Sequence, residues 1–187
     1  MTKTYSQSIK DIAWAYILLC FHFKIVTIDL LPDWYGYYLI YTALPVMEKR
    51  APSVGLLKNF VVFMTGYEAV EWFLQIFGVE LDTYILSLFI GVVYIYTHFQ
   101  LLTNLADIAR QDSSEYSIPI RQLRSFVIVG VTITNIIHSF FPNIWLVYGI
   151  AIINILIFTI LSAQLFSYAK EEQKREELQV INKKKNV

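Results

Sequence analysis

The sequence predicts an all-α bundle of six membrane-crossing helices with both termini on the cytoplasmic side. Three observations carry this expectation. The 187-residue chain is 56% hydrophobic and only 16% charged, against roughly 25% charged in soluble domains. Six apolar runs alternate with short polar connections. Of the fifteen Lys and Arg residues, fourteen fall on alternate connections, Lys24 being the exception.

A helix needs roughly 20 predominantly apolar residues to cross about 30 Å of hydrocarbon. The first run extends from about Ile12 to Leu30 and contains His22, Lys24 and Asp29. The second, about Trp34 to Met47, is short and needs polar ends or a thinned bilayer. The third covers about Leu57 to Phe77. The fourth covers about Leu81 to Leu102, with a helical extension toward Ala109. The fifth runs from about Ser125 to Phe141 and the sixth from about Ile144 to Tyr168. Residues 1–169 are therefore expected to form one transmembrane domain, and residues 170–187 a charged cytoplasmic tail.

The cations orient these runs. Lys3 and Lys10 precede the first; Lys49, Arg50 and Lys58 separate the second from the third. Arg110, Arg121 and Arg124 separate the fourth from the fifth, and six more cations follow the sixth. Cytoplasmic loops are enriched in Lys and Arg, so these connections and both ends belong inside. A five-span arrangement would place the C-terminal lysines outside. The stretch from Arg110 to Arg124 is the longest connection and is expected to be a flexible loop. The tail is expected to act as a topology anchor whose last lysines lie near anionic headgroups. Cys20 is the single cysteine, so no intrachain disulfide can form. It is expected to pack as a small apolar side chain.

The most distinctive string is the first outer turn, Asp29-Leu30-Leu31-Pro32-Asp33-Trp34-Tyr35-Gly36. Pro32 drives Leu31 out of the helical region. Asp33 is then placed to cap the second helix and to meet its positive dipole end. Trp34, Tyr35, Tyr37, Tyr38 and Tyr41 are expected to form an aromatic belt, and Gly36 to allow close helix approach. The same turn, with Asp29, Asp33 and its tyrosines, can equally form a ligand or ion mouth. The string resembles a recurrent element of small polytopic membrane proteins of Gram-positive bacteria. That resemblance covers roughly residues 20–45; it implies a bacterial cytoplasmic membrane, no known activity, and no functional residue that can be carried over. Six spans in under 200 residues also resemble the layout of the substrate-binding subunits of energy-coupling-factor transporters. Their alanine-spaced first-helix docking motif is not evident in this chain.

Ionisable residues inside a membrane cost several kcal/mol unless paired or hydrated, and so are functional candidates. Glu68 and Glu71 stand three apart on one face of the third helix. At about 1.5 Å per residue, Glu71 lies roughly 9 Å and Glu68 roughly 14 Å below Phe77. Asn135 and His138 occupy the outer half of the fifth run, and His22 and Lys24 point to the same side. Three readings compete for this group. The acids can pair with His138, His22 or Lys24 to hold the bundle together. They can line a pocket or path for a proton, a cation or a cationic solute. They can bind a divalent metal, although no Glu-x-x-His or His-Glu-x-x-His motif occurs. His98, in the inner half of the fourth run, is expected to be a satisfied packing residue.

Nucleophile-elbow, Walker, Rossmann and zinc-protease motifs do not occur, so an enzyme is the least favoured class. The basic residues follow topology rather than forming a patch with aromatic stackers, which argues against nucleic acid. No cofactor is expected. The sequence thus points to a small transport-type or solute- or ion-binding membrane protein with an outward polar site. Its candidate residues are Glu68, Glu71, His138, Asn135, His22, Asp29 and Asp33. Its partners are the bilayer and a cationic solute or proton. The alternative is a non-catalytic accessory subunit that binds another membrane protein.

Overall fold

The computed structural model describes residues 3–20, 24–25, 28–29, 32–79, 81, 84–140 and 144–185. Among them the fold is all-α: α1 (Tyr5–Cys20), α2 (Asp33–Glu48), α3 (Leu57–Ile76), α4 (Tyr84–Gln111), α5 (Ser117–Phe140) and α6 (Ile144–Lys185). A 3-10 turn, Pro52–Leu56, joins α2 to α3. Two-residue strands β1 (Lys24–Ile25) and β2 (Ile28–Asp29) pair antiparallel, with Lys24 opposite Asp29. Each helix packs on the next, and α6 returns to α1, so the six close into a ring.

Three boundaries differ from the sequence expectation. The first helix ends at Cys20 instead of continuing to Leu30. The β-branched run Ile25-Val26-Thr27-Ile28 favours extended backbone, and two of its members enter the small ladder. Helix α5 begins at Ser117, so most of the expected flexible loop is helical. Pro119 stands in its first turn, where a missing N–H costs nothing. Finally, α2 is preceded by Pro32 as N-cap, with no side-chain cap, and Asp33 occupies the first turn. Asp33 still meets the helix dipole, but as a first-turn acid and not as the cap.

Two helix ends are closed by the same device. Gly78 has φ +69° after α3, and Ser113 has φ 53° after α4. Val79 N donates to Leu74 O and Gly78 N to Gln75 O; Ser114 N donates to Ala109 O and Ser113 N to Arg110 O. Both are Schellman ends, satisfying carbonyls that the helix leaves open. Gly78 suits the left-handed conformation, whereas Ser113 carries a Cβ into it.

Packing is graded along the bundle axis. The end where α1 begins is dense, and the opposite end is not. Among the described residues, buried positions in α3 stop at Met64, those in α4 start at Val93, and those in α6 start at Phe158. Gly36 brings α2 against Leu19 and the Ala15 carbonyl of α1, as close approach requires. The exterior is apolar: Trp14, Phe73, Phe77, Ile85, Leu88 and Ile152 are all exposed. Two helices, Ile85–Gln111 and Tyr148–Lys184, are long and apolar enough to cross a membrane among the described residues. Only 28% and 22% of their most apolar stretches are buried. A soluble core helix would be mostly covered, so these surfaces point to contact with a membrane.

The dense end is tied by charges. Arg50, just after α2, donates from Nη1 to Asp112 Oδ2 (2.7 Å) and to Glu172 Oε2 (3.2 Å). Its guanidinium also lies 3.9 Å over the Tyr5 ring. Arg175 Nη1 reaches Glu172 Oε1 at 3.2 Å and donates to the Asp112 carbonyl at 2.6 Å. Arg175 also pairs with Glu171, which accepts from Ser114 Oγ (2.9 Å). Thr4 and Gln7 form a capping box at the start of α1, Gln7 N donating to Thr4 Oγ1 (3.3 Å) and Thr4 N to Gln7 Oε1 (3.0 Å); the first N–H groups of the helix, from Tyr5 and Ser6, donate to Glu176 Oε1 at 3.0 and 3.1 Å. A carboxylate of α6 therefore caps α1 from the other side of the ring closure. About 20 residues suffice to cross hydrocarbon, so the charged part of this 42-residue helix extends beyond any bilayer it spans.

Glu172 is only 1% exposed. Burial raises its pKa first of all, and Asp112 adds to this, while Arg50 and Arg175 pull it back. Burial lowers that of Arg50, but Asp112, Tyr5 and Glu172 outweigh it and leave the guanidinium more firmly charged.

Arg50→Ala leaves a buried carboxylate with one cation fewer, and should lower stability by about 3 kcal/mol in thermal unfolding in detergent. Because the folded-state value of Glu172 is raised, its contribution is full below the ordinary Glu value and is lost as pH rises through the folded value. The melting temperature of wild type relative to Glu172→Gln should therefore fall as pH rises above the ordinary Glu range; a constant gap would contradict this. Ser113→Gly should raise stability by about 1 kcal/mol in the same assay, by relieving the left-handed Cβ.

Candidate functional site

Where the packing thins, the helices leave an open cavity of about 610 Å³ between them. All six helices contribute to its lining. Asp33 comes from the first turn of α2, and Glu68 and Glu71 from one face of α3. Helix α4 adds Ser87, Gly91 and Tyr94; α5 and α6 add Thr134, Asn154 and Phe158; Cys20 closes α1. The described lining holds three carboxylates and no Lys, Arg or His.

The floor is aromatic and fully packed. Tyr37, expected in an outward belt, turns inward and is only 1% exposed. Its hydroxyl lies 3.3 Å from His98 Nε2, and the Tyr16 hydroxyl lies 3.1 Å from His98 Nδ1. A neutral imidazole has one donor and one acceptor nitrogen, and two hydroxyls can serve both. The Tyr94 ring completes the surround, its centroid 4.2 Å from that of His98. His98 is thus held by α1, α2 and α4 beneath the cavity, with its polar groups satisfied. Tyr35 and Tyr38 remain on the outside, stacked at 6.0 Å.

The wall opposite the acids is built on a small-residue contact. Asn154 Nδ2 donates to Thr134 Oγ1 at 2.7 Å, and Thr134 donates to the Gly130 carbonyl at 2.8 Å. A Cβ at Gly130 would overlap Asn154 Oδ1. Gly130 therefore makes room for the asparagine that presents amide to the cavity. Sequence reading passed over Asn154. A polar residue in the middle of an apolar run, with Thr and Gly on the neighbouring run, was the available signal.

Of the seven sequence candidates, the structure brings Asp33, Glu68 and Glu71 to one cavity. The side chains of Asn135 and His138 on α5, and of Asp29 in β2, lie outside the described residues, as does His22. Among the described residues, no group of three or more His, Cys, Asp or Glu side chains is arranged to hold a metal ion. The three carboxylates share one chamber. Comparison with protein-family models, curated proteins and solved structures finds no match for this chain.

Gly130→Ala should displace the Asn154 amide and cost about 1–3 kcal/mol in thermal unfolding. Adding Asn154→Ala should recover part of that loss, so the double variant costs less than the two singles summed. Additive losses would show that the glycine and the asparagine do not depend on each other.

Proposed function

We propose that this chain is a small multi-pass membrane protein of the bacterial cytoplasmic membrane, of transport or solute-binding type. All six helices cross, both termini are cytoplasmic, and a cavity open to the outside takes a positively charged solute or ion. The observation that carries the reading is the composition of the cavity: Asp33, Glu68 and Glu71 line it beside Tyr37, Tyr67 and Tyr94. Three carboxylates in a low-dielectric wall attract positive charge far more strongly than they would in water. The alternating Lys and Arg pattern supports the topology, and the apolar exterior supports full insertion. The cytoplasmic end is then the charge-tied end, so the cavity is closed on that side by packed core and ion pairs.

A second reading, an accessory subunit for another membrane protein, draws on one observation. Beyond its ion pairs, α6 continues with Leu178, Val180 and Ile181 exposed. Those residues lie far from the cavity, and both roles can coexist.

Cys20 is the chain's one thiol and lines the cavity. A cationic methanethiosulfonate applied to the outside of intact cells should label it about tenfold faster than an anionic one, since about 1.4 kcal/mol of local potential suffices. Glu68→Gln and Glu71→Gln together should bring the two rates close. Labelling from the cytoplasmic face alone, or equal rates in wild type, contradicts the proposal.

A further inference from the structure

The cavity is polarised across its width. Among the described residues the acids come from α2 and α3, while α5 and α6, across the ring, present Val131, Ala151, Ile155 and Phe158 with the Thr134–Asn154 pair. Tyr37, Tyr67 and Tyr94 also line it. Its volume of about 610 Å³ falls in the range of small-molecule sites, about 300–1,000 Å³. A bare ion would leave most of that space to water, at about 30 Å³ per molecule. The carboxylates, moreover, are not arranged as a metal cage.

We infer that the ligand is an organic amine with an apolar, ring-bearing body. This rests on the proposed outward acidic cavity and specifies its occupant. The ammonium lies against Asp33, Glu68 and Glu71, where charge attraction is stronger than in bulk water. Tyr67 and Tyr94, partly exposed in the lining, add cation–π attraction, which favours ammonium groups over neutral ones. The body lies along Ile155 and Phe158, which return the desolvation cost of the amine stem through apolar contact. The Thr134–Asn154 pair offers one polar contact on that side and discriminates among bodies that carry a hydroxyl or carbonyl.

The test uses full-length protein in detergent and three probes: an arylalkylamine, the arylalkanol of the same skeleton, and calcium. Binding is read by isothermal titration, and by protection of Cys20 from the thiol reagent. The amine should bind and protect, the alcohol should do neither, and calcium should bind at least about tenfold more weakly than the amine. Glu68→Gln and Glu71→Gln should each weaken amine binding by about tenfold or more. Phe158→Leu, which keeps the acids and changes only the body wall, should weaken it severalfold while leaving calcium unaffected. Calcium binding as tightly as the amine, equal binding of the alcohol, or an amine affinity indifferent to both Gln variants would overturn the inference. If Cys20 retains its preference for cationic reagents while no amine protects it, the amine assignment fails and the outward acidic cavity stands.

Discussion

One buried carboxylate organises the closed end of this ring. Glu172 is enclosed where α1, the turn after α2, the turn after α4 and α6 meet, and it is reached by Arg50 and Arg175. Taking a carboxylate out of water costs several kcal/mol, and only close cations return that cost. The elements that carry those cations must therefore stay together. Arg50 draws in the end of α2 and, through Asp112, the end of α4. Glu176, one turn along α6, then caps α1. The joint between the last helix and the first is the one that no short connection makes, and it is the joint these charges help to close. Such a network favours one arrangement over its rivals more than it adds stability, since a hydrophobic substitute of similar shape often costs nothing.

From that end the structure loosens in steps. Above the ion pairs lies a dry core of Ile9, Ile12, Ile40, Leu101, Leu105 and Leu161. Above it, His98 and its tyrosines form a satisfied polar layer. Beyond that layer the buried positions of α3 and α6 run out, and the cavity opens between the same helices. The cavity is where the core is left unfilled, and the tied end makes this tolerable. Asn154 and Thr134 keep α5 and α6 together beside the void, where apolar contact alone is thin.

The sequence showed some of this and concealed the rest for identifiable reasons. Glu68 and Glu71 were legible because helical periodicity alone puts them on one face. Asp33 was legible as an acid at a helix start; its presence in the cavity was one of two uses its turn allowed. Tyr37 was misplaced because every aromatic near an interface reads as belt, and its inward direction depends on His98, 61 residues later. The charge network was invisible for the same reason. Arg50 and Glu172 are 122 residues apart; locally, Arg50 reads as a topology signal and Glu172 as part of a charged tail. The first helix was drawn too long because apolar content does not distinguish a strand from a span over so short a run. Helix α5 was drawn too short because its polar start was read as loop, although Arg121 and Arg124 in fact fasten it to Asp107 and Thr103 of α4.

Among the described residues, length and apolarity single out two helices as spans, whereas the proposed topology, drawn from the charge alternation, has six. The difference has physical causes. Helices α1 and α2 have 16 residues each, about 24 Å, short of a full hydrocarbon thickness. Helix α3 carries the two cavity acids, and α5 opens on arginines. A ring that packs them together gives these helices a protein neighbour in place of lipid. The decisive measurement is sided labelling of single cysteines in a Cys20→Ser background, using an impermeant reagent on intact cells. Val79→Cys should label from outside, while Ser113→Cys and Leu178→Cys should label only after the membrane is opened. Labelling of Leu178→Cys from outside, with Ser113→Cys still protected, would mean that α4 and α6 cross while α5 does not, and would contradict the six-helix ring as a membrane-spanning unit.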